Sequence, residues 1–280
     1  MSDLTAIILT KNEEKNIKKC IESIKEFAKR ILVIDSGSQD NTILIAKELG
    51  AEVYENKYIY YAQQFNWAID NTNIQTKWTL RLDADERFTP ELCKKAEIAI
   101  KENHDTDING ITLEAWLYFL NKKIKYGVRK KRKLMIFKTG IGRIEDRKRD
   151  AHTLINEGKS ISLEERFIHY DFKDLSSFID KYNFYSSKEV EDYIDFKTGK
   201  AVLIKNNDKK ISNQRNKKFG LYYRFPKFMR ARLWFIYNYY FRMGFLDGKA
   251  GYLFHYYECY WYRHLVDSKI LEYERMLKGE

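Results

Sequence analysis

Short β-branched and apolar runs, LTAIILT (4–10), ILVID (31–35), AEVY (51–54) and KWTLRLD (77–83), alternate with stretches of helical period. Polar turn residues bound each run, so the runs predict strands. Between the first two, Ile17, Cys20, Ile21, Ile24 and Ala28 recur at i, i+3, i+4, i+7 and i+11, which predicts one helical face with Asn12 as its cap. A second helix opens at Asp40 or Thr42 and runs to Leu49, and a third covers Tyr61 to Asp70. Thr89-Pro90-Glu91 starts a fourth, with proline at the first helical position. The βαβαβαβα order predicts an α/β fold whose parallel sheet is covered on both faces.

Further along, ITLEAWLYFL, LMIFK and ERFIHY predict later strands, with the basic run KYGVRKKRK (125–133) before the second of them. Leu175, Phe178, Ile179, Tyr182, Val190, Tyr193 and Ile194 mark a long helix. The composition then shifts. Residues 219–262 carry nineteen aromatics interleaved with Arg and Lys, and predict two helices separated by Met243-Gly244-Phe245-Leu246-Asp247-Gly248. The chain is therefore expected to divide into residues 1–200 and a helical extension, 201–280.

With 280 residues and 44% hydrophobic content, the chain can fill a substantial core, which excludes wholesale disorder. No run reaches the 18 or more apolar residues of a spanning helix, and Asp3 and Lys11 come too early for a signal peptide, so a cytoplasmic location is expected. Cys20, Cys93 and Cys259 lie far apart and read as buried small hydrophobes. The net charge of +11 makes a polyanionic partner plausible, and its position matters more than its size. From Lys209 to Lys249 there are eleven cations, Arg224, Lys227, Arg230 and Arg232 among them, against the single acid Asp247. Together with Trp234, Tyr237, Tyr239, Tyr240 and Phe241, this predicts a seat on an anionic membrane face. The same aromatics are also consistent with a helical core or a homo-oligomer contact.

In an open parallel sheet, ligands bind beyond the carboxyl ends of the strands. Here those ends read Thr10-Lys11-Asn12-Glu13, Asp35-Ser36-Gly37-Ser38-Gln39-Asp40 and Asp83-Ala84-Asp85-Glu86. Such acids, converging without matching bases, would repel unless a cation or a hydrogen-bonding ligand were held there. Asp83 and Asp85 flank a small residue where both can reach one hard cation, which would neutralise a departing diphosphate. A haloacid-dehalogenase-type phosphatase would need Thr or Val where Arg87 stands. The Asp35 loop has Gly at the third position of a would-be calcium loop, where an oxygen ligand is needed. It reads instead as a base or ribose contact, or as a capped turn.

The segments TAIILTKNEEKNIKKCIESI, LVIDSGSQDNT, QFNWAID and WTLRLDADERFTPEL resemble, in that order, the inverting family 2 glycosyltransferases of GT-A fold, a Rossmann-like and mostly parallel sheet. RMGFLDGKAGYLFHYYECYWYRHL resembles the lipopolysaccharide-core and O-antigen glucosyltransferase-like branch. The resemblance implies a nucleotide-diphospho-sugar donor, usually a uridine one, and a divalent cation, Mg²⁺ or Mn²⁺. It implies that Thr10, Glu13 and Asp35 hold the nucleoside, that Gln64 and Asn66 lie beside it, and that Arg81 reaches the phosphates. Asp83 and Asp85 match the family's D-x-D, with Asp85 the direct metal ligand and His169 a further metal or phosphate contact.

Inversion requires a carboxylate to take the acceptor's proton on the face opposite the leaving diphosphate. Glu145-Asp146-Arg147-Lys148-Arg149-Asp150-Ala151-His152 resembles this branch's Glu-Asp-Arg-x-Met-Asp-Glu-His pattern, with Arg149 replacing Met and Ala151 replacing Glu. Asp150 is the expected base, with Asp146 second. The expected activity is inverting sugar transfer onto a saccharide acceptor, free or lipid-linked, in bacterial surface-glycan synthesis on the inner face of the plasma membrane. Two competing classes are a basic-aromatic nucleic-acid binder, which leaves the acid-lined strand ends unexplained, and a sugar nucleotidyltransferase, which normally has a Gly-rich loop where TKNEEKN stands.

Overall fold

The β-rich runs form β1 (Ser2–Thr10), β2 (Ala28–Asp35), β3 (Glu52–Glu55) and β4 (Trp78–Asp83), and the helical periods between them form α1 (Ile17–Ile24), α2 (Thr42–Glu48) and α3 (Tyr61–Asn71). These elements come from a computed structural model that describes residues 1–128, 131–145, 152–170, 174–198 and 222–279. After β5 (Glu86–Arg87) and α4 (Pro90–Glu102) come β6 (Ile108–Phe119), β7 (Lys122–Ile124), β8 (Arg132–Lys138), β9 (Gly142–Ile144), β10 (Thr153–Ile155) and β11 (Lys159–His169). The chain packs as two compact units, Met1–Tyr118 with Lys130–Asp171, and Phe119–Arg129 with Phe172–Glu280.

The sheet order is β3-β2-β1-β4-β8-β6-β11-β5, with β7 pairing β6 and a separate β9–β10 ribbon. The β3-β2-β1-β4 half is parallel, as the alternation of strands and helices predicts. Strand β8 enters antiparallel between β4 and β6, and β6 and β11 are parallel. Strand alternation sorts side chains onto the two faces. Leu4, Ala6, Ile8, Trp78, Leu80 and Leu82 pack with the apolar stripes of α1 and α4, while Ile7, Leu32, Ile34 and Phe137 pack with Ala62, Phe65 and Ala68 of α3. Each fully buried Ile or Leu of this kind contributes roughly 1.5–3 kcal/mol.

Two local expectations are corrected. Ala28 does not extend α1. That helix stops after Ile24, and Ala28 pairs with Ser2 at the start of β2. Asn12 does not cap α1, whose N-cap is Asn16. Asn12 adopts φ 53°, a left-handed conformation that Asn tolerates, and its Oδ1 accepts from Gln39 N at 2.8 Å. At α4 the expectation holds, since Thr89 Oγ1 accepts from Leu92 N at 3.2 Å.

The second unit contains α5 (Leu175–Lys197), α6 (Met229–Ile236) running into a π-helical turn (Tyr237–Phe241), a 3₁₀ turn (Gly244–Asp247), α7 (Gly248–His255), a second π-helical stretch (Tyr256–Trp261) and α8 (Tyr262–Lys278). Thus two aromatic-basic helical arms do meet at Met243–Gly248. Helix α5, expected in the first domain, belongs to this unit. Its Phe178 and Tyr182 stack at 4.1 Å, Tyr182 meets Tyr262 edge-on at 5.2 Å, and Glu189 accepts from Tyr262, Tyr223 and Arg263. Two of the cations expected on a membrane face are engaged internally. Arg230 is buried against Asp267, and Lys227 pairs with Glu274. No helix among the described residues is long and apolar enough to cross a membrane.

Candidate active site

Register brings the strand ends together. Thr10 pairs with Asp35 across β1 and β2, and Leu9 pairs with Asp83 across β1 and β4, so three polar ends lie at one level of the parallel half. Further along the sheet, His169 at the end of β11 pairs with Glu86 of β5.

The loops after β1 and β2 are laced to each other. Asn12 N donates to Ser38 Oγ at 2.8 Å, Glu13 N to Thr42 Oγ1 at 2.7 Å, and Glu14 N to Asp40 Oδ2 at 3.1 Å. Asp35 is fully buried and turns back on its own loop, Oδ2 accepting from Gly37 N and Ser38 N, and Oδ1 from the Ser38 hydroxyl. Gly37, at φ 86°, supplies the left-handed turn this needs. The Thr10 hydroxyl is buried with no hydrogen-bond partner among the described residues. The Glu13 carboxylate accepts from Asn16 Nδ2, and Asn16 Oδ1 accepts from Arg87, whose guanidinium lies 4.1 Å from the Tyr170 ring centroid.

Gln64 joins this cluster. Its amide donates to Ser36 Oγ and Asn56 O and accepts from Asn56 Nδ2, fixing α3 to the loops after β2 and β3. Asn66 is taken elsewhere, because two residues along a helix is more than half a turn. Both its amide atoms engage the backbone of Ile144, at 2.8 and 3.0 Å.

On β4, alternation puts Arg81 and Asp83 on the face opposite Leu80 and Leu82. Arg81 donates to Tyr61 Oη at 2.8 Å and to Thr153 Oγ1 at 3.1 Å. Asp83 accepts from Tyr61 Oη at 2.6 Å and pairs with Lys133 Nζ at 3.0 Å. Lys133 also contacts Glu86, whose other oxygen accepts from Asp83 N at 3.0 Å and closes the turn. Burial penalises charge on Asp83, but Lys133 and Arg81 outweigh it and hold the carboxyl well below the usual range. For Glu86 the balance goes the other way. Burial comes first, and Asp83 adds to it, so its pKa is raised despite Lys133. Burial and the neighbouring acids push the Cys20 thiol well up, so it is the inert core group expected.

The expectation of acids without matching bases is therefore corrected, since Lys133 and Arg81 are built into the cluster. Lys133 and Tyr61 are the residues that sequence reasoning missed, while Glu86, read there only as one more acid of the strand end, is the group that closes the turn. Asp85 and His169 stand together, Oδ2 to Nε2 at 3.5 Å. The carboxylate suits Mn²⁺ or Mg²⁺ when diphosphate oxygens and water complete the shell, and the imidazole beside it is a softer ligand better matched to Mn²⁺ than to Mg²⁺. Asp83, already engaged by Tyr61 and Lys133, is a less direct candidate. No group of three or more His, Cys, Asp or Glu able to hold a metal ion occurs among the described residues. Asp146 and Asp150 lie outside the described residues, as does Ala151.

A Rickettsia typhi protein described as an uncharacterized glycosyltransferase is 26% identical over 209 residues, 69% of each chain. The lipopolysaccharide core biosynthesis glycosyltransferase LpsC of Rhizobium meliloti is 33% identical over 94 residues, 32% of this chain and 34% of its own. Among solved structures, glucosyl-3-phosphoglycerate synthase from Mycobacterium tuberculosis, in complex with Mn²⁺, UDP and glucosyl-3-phosphoglycerate, aligns with TM-score 0.34 and 18% identity over 41% of this chain and 44% of its own. The model of glycosyl transferase family 2 matches residues 5–152, which span the laced loops, the β4 carboxylates and Lys133. The chain belongs to glycosyl transferase family 2, as a nucleotide-sugar-dependent glycosyltransferase of GT-A fold.

Proposed function

We propose that this chain transfers a sugar, with inversion, from a UDP-sugar to a lipid-carried saccharide acceptor of a bacterial surface glycan, at an anionic membrane surface. The observation that carries the reading is the meeting of Thr10, Asp35 and Asp83 at one level of the parallel strands, with Asp85 beside His169. The surface-glycan assignment is supported by the similarity to a lipopolysaccharide core glycosyltransferase.

In this reading the laced loops carrying Thr10, Glu13 and Asp35 receive the nucleoside, and Gln64 keeps them in place. Asn66 acts through β9. Arg81 and Lys133 set the positive field at the end of β4 that a diphosphate needs, with Arg81 moving from Tyr61 toward the phosphates. Asp85 and His169, supported by Asp83, would hold the divalent cation, which when bound neutralises the leaving diphosphate. Asp150 takes the proton from the acceptor hydroxyl as that oxygen bonds to the anomeric carbon and the diphosphate leaves, with Asp146 the second candidate.

Calorimetric titration with UDP-sugars in Mn²⁺ or Mg²⁺ tests the donor half. Asp85→Asn should lose most metal-dependent binding with the fold intact, and undiminished donor affinity in excess chelator would overturn it. Turnover tests the base. Asp150→Asn should slow transfer by about 10²–10⁴-fold with donor binding unchanged. Normal turnover would move the assignment to Asp146.

A further inference from the structure

Helix α6 and the turns after it pack Phe235 inward on Tyr252 and Tyr260, and Tyr239 on Tyr252, yet leave many more apolar side chains on the exposed side. The fully buried side chains of this stretch are Arg230, Ala231 and Asn238, two of them polar. The outward positions are Met229, Leu233, Ile236, Tyr237, Tyr240 (57% exposed) and Phe241 (76% exposed), at i, i+4, i+7, i+8, i+11 and i+12. Met243 (53%), Phe245 and Leu246 (52%) extend the exposed apolar run through the next turn. A helix on a water-exposed surface places its charges outward and its apolar stripe inward. Nine large apolar or aromatic side chains exposed within residues 229–246 are far more than the scattered exposures of an ordinary surface.

Charge says what covers this face. Between residues 222 and 255 the one acid is Asp247, whose Oδ2 accepts from the backbone N–H groups of Lys125 and Tyr126. Of the six cations in the same stretch, Arg230, Lys227 and Arg242 are held by Asp267, Glu274, and the carbonyls of Gly127 and Val128. Arg224, Arg232 and Lys249 are exposed, and Arg232 precedes Leu233 on the helix itself. We propose that this face docks on an anionic lipid bilayer, with the apolar side chains at the headgroup boundary and the three exposed cations on anionic headgroups. A second copy of the chain fits less well. A two-fold interface sets a patch against itself, and here that brings like charges together on a chain of net charge +11.

The proposal rests on the reading of a lipid-carried acceptor, but its test uses neither donor nor acceptor. The full chain is sedimented with phosphatidylglycerol-containing vesicles and with pure phosphatidylcholine vesicles. Binding should require the anionic lipid and fall as salt is raised. Arg224→Ser, Arg232→Ser and Lys249→Ser combined should lower partitioning about 100-fold, near fivefold per cation. Phe241→Ser with Leu246→Ser should lower it at constant charge, while Leu44→Ser, an equally exposed control in α2, should not. Circular dichroism and UDP-sugar titration of each variant should match the parent. Absence of binding to anionic vesicles at low salt, equal binding to neutral ones, or indifference to the Phe241 and Leu246 changes would overturn the proposal. So would a concentration-dependent dimer that those changes abolish. A chain that binds vesicles but no UDP-sugar would instead overturn the sugar-transfer reading alone.

Discussion

At the end of β4, Lys133 holds two carboxylates that would otherwise face each other. Its Nζ lies 3.0 Å from Asp83 Oδ2 and also contacts Glu86, and burial together with that crowding raises the Glu86 pKa even with the ammonium present. Breaking a buried ion pair by removing one partner is costly, because the other charge stays behind. Lys133 and Asp83 keep about a fifth of their side-chain surface, which discounts the full penalty. Lys133→Met should therefore destabilise the protein by about 2–4 kcal/mol, and Glu86→Gln in the same chain should recover part of it. Paired denaturant titrations check this, and additive effects would show that the two side chains are not coupled. The aspartates themselves were legible in sequence, because a D-x-D at a strand end is a local signal. Lys133 was not. It stands 50 residues from Asp83 in a basic run that reads as solvated loop, and it becomes a partner only when β8 inserts antiparallel beside β4. Asn66 shows the same limit, since its partner at Ile144 lies 78 residues away.

Among the elements, those set by short-range patterning were readable, and those set by packing against distant chain were not. The four parallel strands and their helices follow from β-branched runs and helical periods. The outward apolar face of α6 does not, because Phe235 also packs inward on Tyr252 and Tyr260, and apolar residues on both sides of the helix hide which side is covered. The Gly-Phe-Leu-Asp-Gly turn acquires its meaning only through α7. A Cβ at Gly127 would lie 2.5 Å from the His255 ring, and one at Gly244 would also clash with it, so both glycines exist to admit that imidazole. His255 is fully buried, its Nε2 lies 3.2 Å from Tyr126 O and its Nδ1 3.6 Å from Cys259 Sγ, while Asp247 and Arg242 act on it in opposite senses. Burial dominates and lowers its pKa below 6.5. The unfolded chain then takes up the proton first, so the stabilisation is complete above pH 6.5 and drains away as pH falls from there toward the folded value. Thermal midpoints measured from pH 7.5 to 5 should decline more steeply in the parent than in His255→Asn. Parallel curves would mean that the imidazole is not the titrating group.

For the molecule as a whole, the chain's path matters more than either unit's content. β6 carries the backbone out of the first unit, residues 119–129 complete the second, and the chain returns at Lys130. Within the second unit that excursion is held at many points. Phe119 packs edge-on against Phe178 and Phe254 at 5.6 and 5.7 Å, and Ile124 is 1% exposed. Asp247 accepts from two of its backbone N–H groups, and Arg242 donates to two of its carbonyls. Burying Phe119 and Ile124 contributes about 3–6 kcal/mol in all, and the part that Phe119 owes to Phe178 and Phe254 is lost if the second unit is cut away. A chain of residues 1–171 should therefore carry an exposed apolar tip and unmet backbone groups at 125–128. It should be less soluble than the full chain and should aggregate at a lower temperature. Replacing 119–129 in that shortened chain by a Gly-Ser turn removes β7 and the last residue of β6, and should restore solubility with the rest of β6, β8 and the carboxylates of β4 in place. Light scattering during a thermal ramp compares the three. A shortened chain that stays as soluble as its Gly-Ser counterpart would show that the tip needs nothing from the second unit. The better solubility of the Gly-Ser chain would show instead that the two units are joined by shared chain, so that a single cut cannot separate them.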